Sequence, residues 1–221
     1  MCGRARITRP WREIHEAMSL IPTVPAQNLR ENWNLCPTQD IIAVTSSDEG
    51  KRIGSLMHWG LIPSWSKEGK MTYPTFNARS DGYQVKASFK GAWKAGRRCL
   101  VVIDGYYEWR PSDKQPFSIA YVDRRPMAVA GLWETWRAKN GGETINSCTM
   151  LTIDASERMA PLHDRAPVFL HERDWPIWLG EKAADAAALV KTYPGDDIEW
   201  WPVGKGVGNR RSQGPQLAYP V

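Results

Sequence analysis

The 221-residue chain predicts an α+β fold: one domain, residues 1–221, built on a curved, barrel-like and mainly antiparallel β-sheet with helices around it. Three observations predict it. Short apolar runs of strand character recur along most of the chain. Helical spacings are interspersed among them without the strict alternation of βαβ units. No repeat, low-complexity tract or long linker divides the sequence.

Taken in order, Pro10 opens a helix over residues 11–21, with Ile14, Ala17, Met18 and Ile21 on one face. Residues 41–45 and 52–59 read as strands, the second ending in the turn from Gly60 to Pro63. Val85, Phe89 and Trp93 recur at helical spacing. Residues 99–103 are continuously apolar and rich in β-branched side chains, as a buried strand requires. Residues 117–122, 127–135 and 147–153 continue the strand series. A short helix over 156–162 precedes His163, strand character resumes over 166–170, helices follow over 172–179 and 181–191, and a late strand covers 198–203.

Hydrophobic residues make up 42% of the chain and charged residues 24%, an ordinary globular balance. Twelve Trp residues are many for this length and suit both a core and a face on which flat ligands stack. The net charge is +5 and the pI about 9.1. That excess alone identifies no polyanion partner, because many basic proteins bind nothing anionic. The opening residues lack the apolar run of a signal peptide, and no later stretch is long and apolar enough to span a bilayer. The expectation is a cytoplasmic protein without membrane association. Cys2, Cys36, Cys99 and Cys148 are widely spaced, which argues against a disulfide framework or a tetrathiolate zinc site. His15, His58, His163 and His171 form no ligand-spaced cluster, so neither metal nor cofactor is expected.

Cys2 has an unusual position. A small residue after Met1 permits removal of the initiator methionine, which leaves an α-amine and a thiol on adjacent carbons. With reference pKa values of about 7.7–8.0 and about 8.5, both groups have reactive forms near neutrality. Such a 1,2-aminothiol suits aldehydes: the amine forms an imine and the thiol closes a thiazolidine. A mid-chain cysteine, whose nitrogen is an amide, lacks this route. An incidental cysteine at a frayed terminus would carry the same two letters. Glu108, in Asp104-Gly-Tyr-Tyr-Glu108-Trp109, follows the apolar strand and is a candidate proton shuttle; an outward-facing strand carboxylate is the plain alternative. His163, in His163-Asp-Arg165, is a second proton carrier or a satisfied histidine beside a local ion pair. Asn77-Ala-Arg79 offers an amide for orientation and a guanidinium for phosphate. Pro63 and Trp65 form a rigid apolar corner with a stacking ring. Arg4, Arg6, Arg97, Arg98, Arg210 and Arg211 add charge, and arginine interleaved with tryptophan is what single-strand binding needs.

These segments occur in a fixed order with Asn34-Leu-Cys-Pro37-Thr38, Trp59-Gly-Leu-Ile-Pro63-Ser-Trp65, Arg98-Cys-Leu, Ala130-Gly-Leu-Trp133, Gly214-Pro215 and Pro220-Val221. The ordered set resembles the SOS-response-associated peptidase (SRAP) family along essentially the whole chain. The resemblance implies a single-stranded DNA-binding domain that crosslinks covalently to abasic sites during the DNA damage response. It implies Cys2 as nucleophile, with Asn77, Glu108 and His163 completing the catalytic set. Arg4 and Arg79 match the family's phosphate-holding arginines, with Arg165, Arg211, Pro63 and Trp65 as further DNA contacts. A monomer with replication-associated partners is expected. The family's name carries a second reading, a cysteine peptidase using Cys2, Glu108 and His163, which includes release of its own Met1. A non-catalytic reader of modified bases is a third. The sequence departs from the pattern at Cys36, where alanine is common, and at Asp81-Gly82, where glutamate and threonine are frequent.

Overall fold

The structure, a computed structural model, describes residues 2–22 and 29–221. In chain order its regular elements are β1 (Ala5–Ile7), α1 (Trp11–Met18), β2 (Asn32–Leu35), β3 (Asp40–Ser46), β4 (Arg52–Trp59), β5 (Asn77–Arg79) and α2 (Lys90–Lys94). There follow β6 (Arg98–Ile103), β7 (Gly105–Trp109), β8 (Pro116–Tyr121), β9 (Met127–Arg137), β10 (Thr144–Asp154), β11 (Arg165–Pro167), α3 (Trp175–Leu179) and β12 (Ile198–Pro202). The expected α+β class holds.

The longest apolar strands close on themselves. β10 pairs with β4, β4 with β3, β3 with β6 and β6 with β9, and β9 returns to β10, making a closed five-stranded barrel. All of these pairs are antiparallel except β4–β10, where Ser147 lies opposite His58. The C-terminal half of β10 continues beyond the ring and is flanked by β5 on one side and β11 on the other. A second, antiparallel sheet runs β12-β8-β7-β1-β2. Strand alternation gives it two different faces. Ala5, Tyr106, Ile119 and Ile198 join the main core, whereas Tyr107 joins Val203, Val207 and Leu217 in a smaller cluster under the C-terminal segment.

The chain crosses from barrel to sheet at Asp104, between β6 and β7. One carboxylate oxygen of Asp104 accepts from the backbone N–H of Thr8 at 2.6 Å and of Arg9 at 3.0 Å, and the other accepts from Arg9 Nε. This ties the end of β1 to the corner and sets β1 beside β7, with Ala5 opposite Tyr106 and Arg6 opposite Gly105.

Several helical expectations fail for identifiable reasons. Residues 156–162 form successive turns, not a helix, because Pro161 has no N–H to donate back to Glu157. Over 181–191 only a 3-10 turn, Ala186–Leu189, forms; the Asp185 side chain captures the N–H of Ala187 at 2.9 Å and starts a new cap there. The helix expected over 172–179 divides into a 3-10 turn, Glu172–Asp174, and α3. The spacing of Val85, Phe89 and Trp93 yields only the short α2, and Val85 is 73% exposed. Helix α1 stops at Met18, where Ser19 takes a positive φ of 53° and turns Leu20 back toward Arg52. The strand expected over 166–170 ends at Pro167 and leaves a single bridge between Phe169 and Val129.

Gly131, inside the Ala130-Gly-Leu-Trp133 segment, lies where β6, β9 and β10 meet. A Cβ there would fall 2.7 Å from the backbone oxygen of Thr149 and 2.9 Å from both Cys99 Sγ and Val101 Cγ2. Backbone cannot retreat as a flexible side chain can, so Gly131→Ala overpacks the barrel. Urea denaturation should show a loss of about 1–3 kcal/mol with an unchanged slope. Gly208→Ala, with nothing within 4 Å of its Cβ, should stay within about 0.5 kcal/mol of the parent. Equal midpoints for the two variants would refute this account of the barrel.

Candidate functional site

The N-terminus reaches its position through the β1–β7 pairing. The N–H of Tyr107 donates to Arg4 O at 2.9 Å, and continuing this antiparallel register sets Gly3 opposite Glu108. Cys2 therefore lies at the end of β7 where Glu108 sits, and it is 1% exposed. Burial pushes its thiol well above the ordinary range, and the charge of the Glu108 carboxylate pushes further the same way. The positive charge of the terminal amine and, less strongly, the N–H of Arg4 partly offset both. Tyr106, two residues before Glu108 and on its face of the strand, is also buried. Its hydroxyl is pushed up, first by burial and then by Cys2 and Glu108. Met1, whose removal the aminothiol reading requires, lies outside the described residues.

β5 supplies the next component. Pairing with β10, opposite Met150, Leu151 and Thr152, holds Asn77-Ala-Arg79 extended. Ala78 then turns into the core while Asn77 and Arg79 share the other face. Asn77 Nδ2 donates to the Cys2 carbonyl at 2.7 Å. Its Oδ1 is buried and has no hydrogen-bond partner among the described residues. The structure thus brings Cys2, Asn77 and Glu108 together.

His163 precedes β11, across β10 from β5. Its Nδ1 lies 2.6 Å from Asp164 Oδ1 and 3.0 Å from the N–H of Arg165, and one ring nitrogen cannot serve both in one state. The backbone donor is fixed, whereas the Asp164 carboxylate is 85% exposed and shared with water. A neutral ring that accepts from Arg165 at Nδ1 has its N–H at Nε2.

The candidate DNA contacts divide by how far their donors are committed. Arg79 is half exposed and held by Asp81 through two hydrogen bonds of 3.1 and 2.8 Å. Asp154 and Asp164 also act on it electrostatically. Arg165 is buried; it bonds Asp154 Oδ1 at 2.5 Å and Thr152 O at 2.6 Å. Arg4 donates through Nη1 to Asn34 Oδ1 at 2.7 Å and Val207 O at 2.5 Å, through Nη2 to Gly208 O at 3.1 Å, and lies over the Trp109 ring. Arg211 is exposed on the C-terminal segment. Trp65 is 56% exposed, and Pro63 is buried at the start of the same turn.

Two residues near these groups have roles that their motifs alone do not assign. Tyr106 was signalled by alternation, since it must share a strand face with Glu108. Asn34, fully buried, donates to the carbonyls of Val207, Asn209 and Ser212 and accepts from Arg4, clamping the C-terminal segment to β2. Only tertiary contacts reveal that role. No group of three or more potential metal ligands occurs among the described residues, and no described helix is long and apolar enough to cross a membrane.

Comparison with known proteins covers the whole of this arrangement. The family model described as SOS response associated peptidase (SRAP) matches residues 1–210. The chain is 31% identical over 223 residues to the abasic site processing protein YoqW of Bacillus subtilis (strain 168), covering 98% of each chain. It is 36% identical over 196 residues to the abasic site processing protein HMCES of Xenopus tropicalis, covering 77% of this chain and 58% of that one. A crystal structure of a protein from Bacteroides thetaiotaomicron superposes with a TM-score of 0.85 at 22% identity over 100% of both chains, which extends the likeness to the fold. The chain belongs to the SRAP family.

Proposed function

We propose that this protein acts on abasic sites in single-stranded DNA by forming a thiazolidine crosslink through Cys2, once Met1 has been removed. The reading has support from the relatives named for abasic site processing. The observation that carries it is the seating of Cys2, with its carbonyl held by Asn77 Nδ2 and its thiol beside Glu108.

The deoxyribose of an abasic site is mostly a closed hemiacetal, and Glu108 and His163 exchange protons with its oxygens to release the open aldehyde. The neutral Cys2 amine attacks the carbonyl carbon, a C–N bond forms and water leaves, giving an imine. That imine acidifies the neighbouring sugar carbon and invites β-elimination with strand cleavage. The Cys2 thiol then adds across the C=N bond, with sulfur to carbon and the proton to nitrogen. The electron sink disappears and the strand is spared. Overall, one water is lost. Asn77 steadies the terminal residue, and Arg79 takes a flanking phosphate in exchange for Asp81.

Cys2→Ala should abolish any denaturation-resistant complex with an abasic single-stranded oligonucleotide. The intact mass of the wild-type adduct should equal protein without Met1 plus DNA, less one water. An adduct that retains Met1, or one formed at full yield by Cys2→Ala, would sink the proposal. Glu108→Gln should slow crosslinking by at least about tenfold while DNA binding in a gel-shift assay is kept. Normal rates across the pH range would remove its proton-transfer role.

The raised thiol makes a separate prediction. Burial and Glu108 both disfavour the thiolate, so Cys2 is a neutral thiol near pH 7 and ionises only as the medium becomes strongly alkaline. The ultraviolet thiolate difference between wild type and Cys2→Ala should show its step above the ordinary thiol value in the folded protein. A step near the ordinary value of about 8.5 would contradict it.

A further inference from the structure

The outer face of the second sheet holds a cavity of about 510 Å³ that the proposed reaction does not use. It opens between the sheet and the C-terminal segment, on the face opposite Tyr106 and Glu108. Trp33, Trp201 and Tyr219 supply aromatic walls, with Arg124 4.9 Å from the Trp201 ring centroid. Its charged lining is three arginines, Arg6, Arg9 and Arg124, against Asp104 and Glu199. Two of the arginines are matched: Arg9 bridges to Asp104 and Glu13, and Arg124 to Glu199.

Arg6 is different. It is 6% exposed and makes no ion pair among the described residues. Its Nη1 donates to Ser118 Oγ at 2.5 Å, and the guanidinium lies 5.7 Å from the ring centroids of both Tyr107 and Trp201. The placement is built into the chain: a Cβ on Gly105 would fall 2.5 Å from Arg6 Cζ and Nη2 and 2.6 Å from the backbone oxygen of Ile119, so glycine opposite Arg6 leaves the room. A guanidinium has five N–H donors, and burying its charge without a counter-anion is costly. Among the described residues no carboxylate pairs with Arg6 directly, Asp104 acting on it only from a distance, and a phosphate fits the same planar fork.

We propose that this cavity binds a nucleotide unit, with its phosphate at Arg6 and its base stacked on the walls formed by Trp33, Trp201 and Tyr219. Its volume falls in the range of about 300–1,000 Å³ typical of small-molecule sites. Aromatic faces accept any base without reading its edges. A free nucleoside monophosphate and the phosphorylated 5′ end of a DNA strand share this chemistry. Neither requires Cys2, so the site stands apart from the crosslinking reaction.

The test is a titration of the full chain followed by tryptophan fluorescence and calorimetry. Deoxyadenosine monophosphate should bind saturably with a Kd below about 1 mM, and deoxyadenosine and inorganic phosphate at least about tenfold more weakly. Arg6→Gln, checked for folding by circular dichroism, should lose about tenfold in affinity. Tyr219→Ala changes a 58%-exposed side chain and serves where Arg6→Gln does not fold; it should weaken binding measurably. No saturable signal up to about 10 mM, phosphate binding as tightly as the nucleotide, or wild-type affinity in a folded Arg6→Gln or in Tyr219→Ala would each overturn the proposal. A 5′-phosphorylated oligonucleotide without abasic sites that outcompetes both the mononucleotide and its 5′-hydroxyl counterpart assigns the site to strand ends. Preference for the mononucleotide assigns it to free nucleotide.

Discussion

The geometry of this molecule turns on one buried carboxylate. Asp104 stands where the chain leaves the barrel for the second sheet, and it gathers the N–H groups of Thr8 and Arg9 together with the Arg9 guanidinium. A strand of three residues, even when flanked by β7 and β2, gains few hydrogen bonds against the entropy of ordering it. Bonds to an ionised acceptor are roughly twice as strong as neutral ones. Anchored at its far end, β1 can pair with β7 in a single register, and that register carries Cys2 to Glu108. Gly105 completes the device: beside the anchor, it leaves the space that Arg6 fills. The first two residues of the Asp104-Gly-Tyr-Tyr-Glu108-Trp109 segment therefore hold the strand in place, the third and fifth face Cys2, and the fourth faces the C-terminal cluster.

The barrel contributes rigidity on the other side. β10 is long enough to close the ring with one half and to extend beyond it with the other, where β5 and β11 add as short flanking strands. Neither would be stable as an isolated pair; each borrows an edge from a strand already fixed by the core. Asn77 and His163 thus stand on opposite flanks of one strand, and Asn77 spans the gap to the N-terminus with its bond to the Cys2 carbonyl. Toward solvent the same region becomes a lattice of Arg79, Asp81, Asp154, Asp164 and Arg165. The exposed Arg79–Asp81 pair contributes little to stability and exchanges partners at small cost, whereas Arg165 is buried.

The legible parts of the fold were those whose stability is local or continuous. Residues 52–59 carry strand character throughout and form β4 with those bounds, and the apolar run at 99–103 lies buried in β6. The short strands β1, β2 and β5 were not legible, because three or four residues hold no period and their pairing is decided by partners far along the chain. Apolar spacing alone does not make a helix where the backbone is interrupted: Pro161 withholds a donor, and the Asp185 side chain competes for one. At the site, the residue types and their order were informative because few side chains can do the chemistry. Placement was a different matter. Nothing in the local sequence tells that Arg4 and Arg165 turn their donors to carbonyls of the chain itself, or that Asn34 clamps a segment more than 170 residues away.

The burial of Cys2 also bears on the order of events in the proposed reaction. A thiolate would be the stronger nucleophile, yet both burial and the Glu108 charge oppose it. An enzyme that relied on sulfur to make the first attack would be expected to lower this thiol, as reactive cysteines do beside cations or helix N-termini. An aminothiol that begins with nitrogen has the opposite need. While the amine condenses, a neutral thiol does not compete for the aldehyde; once the imine exists, intramolecular addition has a high effective concentration and needs only a nearby group to accept the sulfur's proton. A carboxylate at Glu108 is suited to that second role. In the proposed reaction, a thiol held neutral by burial and by the Glu108 charge suits capture by nitrogen first and sulfur second.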